Sequence, residues 1–222
     1  MLTNLRGFVL RYDARMVQWA ARLLLVVAVV AAAPARAQDS GMDDGLYGRL
    51  DGDLTLSAGV VAGPVLGADD DGRVAIGAEL RARFLQMAGL VVAPEVRPGG
   101  AARVFAGVDL RPLFLARFLR NLFFADRFWD LLVDSIGLDL GVAITPLARG
   151  IGAALAIGGG LDVPIVGGLS IRLGIRYVRA SPDDNGAPDG GVSDVVLLAG
   201  LSLQTLIDSG LADWEPRRYA LP

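Results

Sequence analysis

Residues 73–84 read RVAIGAELRARF. Val74, Ile76, Ala78, Leu80, Ala82 and Phe84 alternate with a set that holds Arg73, Glu79, Arg81 and Arg83. Successive side chains of a strand point to opposite faces. One face of this segment is therefore apolar and the other carries three arginines and a glutamate. Which face meets solvent, and what that solvent is, decides the fold.

The same period-two alternation recurs along the chain. It is found in Arg49–Val61, in Leu90–Arg97, in Arg103–Arg111, in Ile136–Thr145, in Gly152–Val163, in Leu169–Tyr177 and in Asp194–Gln204. With the opening stretch these make eight segments, each close to the roughly 9–11 residues a tilted strand needs to cross a bilayer. In every segment one face is almost uninterrupted Val, Leu, Ile and Ala. The other mixes Gly and Ala with Asp, Glu, Arg, Ser and Thr. A helical transmembrane protein is not expected. The most apolar window, Leu140 to Leu161, is interrupted by Pro146, Arg149 and many glycines. An open eight-stranded sheet in lipid would leave two edges of unpaired N–H and C=O groups, at several kcal/mol each. The sheet must therefore close, and a barrel of eight strands has an interior just wide enough to be filled by side chains. The fold class expected is all-β: an eight-stranded antiparallel up-and-down transmembrane barrel.

Composition limits the chemistry. The chain has 222 residues with no cysteine, no histidine and no lysine. Disulfides, thiol nucleophiles and His- or Cys-based zinc sites are excluded. So are Ser-His-Asp and Cys-His catalysis and the Walker A loop, which needs a lysine. The N-terminus has the form of a secretion signal, with Met16 as an alternative start. Met16–Arg22 is a short positive lead, Leu23–Ala33 an apolar run, and Ala35-Arg36-Ala37 a small-x-small cleavage site. Residues 1–37 hold five of the 21 arginines and one of the 24 acids. The remainder then has 16 against 23, a net charge near −7, which argues against nucleic-acid binding. The division expected is signal peptide 1–37, linker 38–48, barrel 49–206 with a helical insertion at 113–134, and tail 207–222.

Signal, eight alternating segments and Asp/Gly-rich loops together resemble the small outer-membrane barrels of the OmpA/OmpX kind, over roughly Leu46 to Leu206. The resemblance implies insertion in a Gram-negative outer membrane with both termini periplasmic. It also implies outer-membrane lipid and the barrel-assembly machinery as partners, and a monomer. Two features depart from the family pattern. The chain runs on past Leu206, and few aromatics flank the strands apart from Tyr47, Phe84 and Tyr177. With eight strands, Ala62–Gly72, Pro98–Gly100, Pro146–Gly150 and Ser181–Ser193 are outer loops. Met87–Gly89 and Pro164–Gly168 are short turns on the inner side. The alternative is a barrel that binds or transports a small apolar or lipidic ligand, either in the outer membrane or as a secreted lipocalin-like barrel with its apolar face turned inward.

If the apolar face meets lipid, the charges enter the lumen and need partners. Pairing Val61 with Arg73 places Asp53 opposite Arg81 and Asp51 opposite Arg83. A turn about Ala88 places Arg81 opposite Glu95 and Glu79 opposite Arg97. A turn at Pro98–Gly100 places Glu95 opposite Arg103, and Asp162 can face Arg172. The lumen network expected is thus Asp51, Asp53, Glu79, Arg81, Arg83, Glu95, Arg97, Arg103, Asp162 and Arg172, as structural filling with Arg81 as a hub. Cross-strand opposite charges contribute about 0.2–1 kcal/mol each.

Leu113–Asp134 breaks the alternation. At 3.6 residues per turn, Leu115, Phe118, Leu119, Leu122, Ala125, Trp129, Leu132 and Val133 share a face, with Arg117, Arg120 and Arg127 broadly opposite. One helix is expected on the periplasmic side, either lying in the membrane interface with its arginines on phosphates or capping the lower mouth. The acidic runs Asp69-Asp70-Asp71-Gly72 and Asp183-Asp184-Asn185-Gly186 are read as solvated loops; the second lacks the spacing and glutamate of an EF-hand loop. No catalytic residue, cofactor or metal site is assigned.

Overall fold

A computed structural model describes residues 53–67, 73–97, 102–120, 122, 127–147, 150–166, 168–179, 193–207 and 209–211. The expected signal peptide, the linker, Asp51, the two acidic runs and the tail beyond residue 211 lie outside these. Among the described residues the order is β1 (Leu54–Leu66), β2 (Arg73–Phe84), β3 (Ala88–Val96) and β4 (Arg103–Leu110). Two helices follow, α1 (Pro112–Arg120) and α2 (Arg127–Asp134). Then come β5 (Gly137–Leu147), β6 (Gly150–Val166), β7 (Leu169–Val178) and β8 (Asp194–Ile207). Each strand pairs antiparallel with its neighbour in sequence, and β8 returns to β1. The eight-stranded up-and-down barrel is closed.

Closure can be followed residue by residue. The ladder runs from Thr55 to Arg83, Gly89, Asp109, Asp139, Gly158, Arg176 and Val196, and rejoins β1 at Val65. One circuit therefore advances from residue 55 to residue 65. That stagger is the shear that tilts the strands, typically by about 35–45°. Every residue on the circuit lies on the inner face, because parity is conserved around it.

The faces divide as the alternation requires. Outward positions such as Ile76, Leu90, Leu155 and Ile175 are exposed, while Arg83, Phe105 and Asp109 are almost wholly enclosed. The lipocalin-like alternative needs the reverse arrangement, and this barrel does not have it: its interior is charged and its exterior apolar.

Several boundaries differ from expectation. β1 runs on to Leu66, β5 to Leu147 and β6 to Val166, so the first residues of the loops expected at Ala62–Gly72, Pro146–Gly150 and Pro164–Gly168 are strand. The β2–β3 connection is Leu85–Met87, not Met87–Gly89. Leu85 and Gln86 both have positive φ, 47° and 59°, and the Met87 N–H donates to the Phe84 carbonyl at 3.1 Å. Gly89 instead stands within β3, where a Cβ would lie 1.9 Å from the Ala82 carbonyl oxygen. A left-handed Leu-Gln pair carries no glycine signal, so the turn is displaced from where glycine suggests it. The expected helix 113–134 is two helices. Pro112 opens the first, at the position where its missing N–H costs nothing. The Leu122 N–H closes a wide turn onto the Arg117 carbonyl at 3.0 Å.

Candidate functional site

The inner wall carries one continuous ion-pair network. Arg81 stands at its centre. Nη1 donates to Asp109 at 2.9 Å and to Asp139 at 2.7 Å, and Nη2 donates to Glu79 at 3.0 Å. Arg83 Nε donates to Asp109 at 2.5 Å. Glu79 also accepts from Arg172 at 3.3 Å and from Arg176 at 2.9 Å. Arg172 reaches on to Asp162 at 3.4 Å, and Asp162 accepts from Arg111 at 3.0 Å. Toward the other mouth, Arg176 joins Glu95 at 3.3 Å. Glu95 pairs with Arg103, and Arg103 and Arg97 meet Asp194 at 3.0 and 2.9 Å. Arginine suits this crowding, since its planar fork serves two carboxylates at once.

Glycine on a neighbouring strand makes room for one of these side chains. A Cβ at Gly160 would meet the Arg172 guanidinium at 3.0 Å. Phe105, fully enclosed, lies under Arg176 with the guanidinium carbon 4.5 Å from the ring centroid. This cation–π contact is worth about 2 kcal/mol when desolvated.

The individual pairings differ from several of those expected. β1 pairs Val65, not Val61, with Arg73, so Arg81 faces Ser57 and Arg83 faces Thr55. Asp53 does not meet Arg81. Its carboxylate accepts from Ser209 N–H at 2.7 Å, Ser209 Oγ at 2.6 Å and Leu211 N–H at 3.0 Å, which fixes the chain just after β8. Arg81 faces Val91 across the second hairpin, and Glu95 faces Gly77. Glu79 is held by Arg81, Arg172 and Arg176, and the Arg97 placed opposite it by sequence goes to Asp194 and Glu95. Glu95 does stand opposite Arg103, and Asp162 opposite Arg172.

Five members were not named from the sequence: Asp109, Arg111, Asp139, Arg176 and Asp194. All sit on the polar face by parity, which was the available signal. Their partners lie across the lumen, not on adjacent strands, so hairpin register does not reveal them.

At the β4–β5 end the helices form a second cluster. Arg117 is not free for phosphates. It is clasped by Asp130 and by Asp134, the latter at 2.6 Å, and its Nε donates to the Leu122 carbonyl at 2.9 Å. Phe118 is partly buried and stacks on the enclosed Phe114, with ring centroids 6.0 Å apart. Leu122, Trp129 and Arg120 are exposed. Arg127 opens α2, and its side chain lies outside the description. Among the described residues no group of three acids is placed to hold a metal ion.

No family model matches this chain, and no curated protein matches it. Solved structures similar to it include the de novo designed TMB2.3, at 14% identity and TM-score 0.40, covering 69% of this chain and 95% of that one. They also include Neisserial surface protein A, at 11% and 0.38, covering 68% and 96%. The outer membrane protein OprG from Pseudomonas aeruginosa follows at 12% and 0.37, covering 70% and 96%.

Proposed function

We propose that this chain is a non-enzymatic β-barrel of the Gram-negative outer membrane, with a structural or surface role and a lumen closed by its own ion pairs. One observation carries the reading: the barrel is inside-out relative to a water-soluble one. Its exposed belt is Val, Leu and Ile, and the side chains it encloses include the network's Arg, Asp and Glu beside two apolar clusters. A continuous apolar belt in water is an aggregation surface; in hydrocarbon it is the ordinary exterior of a closed barrel. The charges fit a filled interior better than a pore, because each guanidinium of the network has a carboxylate within 3.4 Å. β1 begins and β8 finishes at the same end of the barrel, where Leu54 pairs with Ile207, and we place that end on the periplasmic side.

Cell fractionation with heat-modifiable gel mobility tests the proposal. The expected result is an outer-membrane protein that migrates faster when unheated. A soluble protein without a mobility shift would sink it. In planar bilayers the folded chain should show no steady conductance, whereas stepwise ion currents would replace the filled lumen with a pore.

A further inference from the structure

We infer that the α1–α2 pair is a lipid-facing part of the barrel's rim, seated at the headgroup–acyl boundary of a phospholipid leaflet. The inference rests on the membrane reading above and adds a partner for a segment outside the strands.

The last β5–β6 pair at this end is Gly137 with Gly160, yet β6 continues to Val166. Its edge toward β5 is therefore bare of a strand from Leu161 onward. α2 packs on β6, and Ser135, just after α2, takes the Asp162 N–H on its Oγ at 2.9 Å. Ser135 thus satisfies a donor on an edge of β6 that a longer β5 would pair, with α2 packed beside it. This is a site on the perimeter.

The enclosed side chains of the pair include Asp130 and Asp134, each 1% exposed and both held by Arg117, together with Phe114. The exposed ones include Leu119 at 74%, Leu122 at 55%, Trp129 at 54% and Phe128 at 42%. Carboxylates inward and large apolar side chains outward is the inversion seen in the strands. The outer surface runs on into β5 through the exposed Ile136 and Leu140, so the pair extends the belt. A Phe–Trp pair packed edge to face at 5.5 Å suits the interfacial zone, where aromatic rings concentrate. Arg120, exposed at the end of α1, is placed for a lipid phosphate. Such helices sit roughly 5–10 Å into the headgroup–acyl boundary.

The experiment uses the three tryptophans, Trp19, Trp129 and Trp214. The full chain carrying Trp19→Phe and Trp214→Phe is folded into phosphatidylcholine–phosphatidylglycerol vesicles. The lipids are brominated either near the headgroup end of the acyl chain or near its terminal methyl. Trp129 emission should fall about twofold with the shallow bromines, fall less with the deep ones, and resist aqueous acrylamide, as expected for that depth. Heat-modifiable mobility and protease protection of the strands report on the barrel in the same samples. A protected barrel whose Trp129 is open to acrylamide and blind to both bromolipids would overturn the inference and leave the barrel reading standing; that outcome would assign the surface to water or a protein partner. An unprotected chain without a mobility shift would overturn both.

Discussion

The lumen is filled in two ways. Around Arg81 it is filled by arginines and carboxylates from β2, β4, β5 and β7, with a separate apolar cluster about Val91, Phe105 and Val178 on β3–β7. Where the first and last strands close the barrel it is filled by Val61, Val65, Ala75, Val196 and Leu198. Both regions are enclosed to the same degree, since Arg83, Val65 and Val196 are all within 1% of fully buried. Their tolerance of damage should differ. An apolar cluster that loses a methyl loses contacts in proportion. An ion-pair network that loses one member keeps the desolvation cost of the others and loses the charge that offset it. The network specifies one arrangement of side chains at high risk, while the seam stabilises closure at low risk.

Unfolding the detergent-folded barrel measures the difference between the two regions. Arg81→Ala removes the partner shared by Glu79, Asp109 and Asp139 and should lower stability by about 3–5 kcal/mol. Heat or urea unfolding followed by gel mobility reads the loss, and an unchanged midpoint would dissolve the network as a structural unit. Val196→Ala, at the seam, should cost about 2 kcal/mol from lost transfer and a small cavity; a loss larger than that of Arg81→Ala would reverse the ranking of the two regions. Ser135→Ala frees the Asp162 N–H on the overhanging end of β6 and should cost about 1 kcal/mol, the net worth of an ordinary hydrogen bond. The smallest effect expected is that of salt. At about 1 M ionic strength exposed charges are screened within roughly 3 Å, but enclosed pairs are screened much less. The midpoint of the unsubstituted chain should therefore barely move, and a steep salt dependence would mean that the pairs are wet.

The helices and strands differ in how much of them the sequence disclosed. For the strands, alternation alone sorted the side chains into two faces, because side-chain period two is local and needs no partner; the closed barrel shows that the apolar face is the outer one. For the helices, the 3.6-residue pattern marked an amphipathic segment but not which face is enclosed. Arg117 belongs to the arginine side of that pattern, yet it is turned onto Asp130 and Asp134. Only packing against β6 reveals that the acidic side is the one covered.

Face and strand number were written in the chain as parity, and closure follows from the demand that every backbone polar group in lipid be paired. Register was not written there. The first hairpin places Val65 opposite Arg73 where the charge pattern suggested Val61. A slip of four residues, being even, returns every side chain to its own face. The hydrophobic pattern therefore registers odd slips strongly and even slips not at all. Tertiary structure decides among the even registers through turn geometry, as at Leu85 and Gln86. It also chooses partners across the lumen, as when Arg81 bonds Asp139, 58 positions away. That choice needs eight strands closed and tilted at once, which no single hairpin contains.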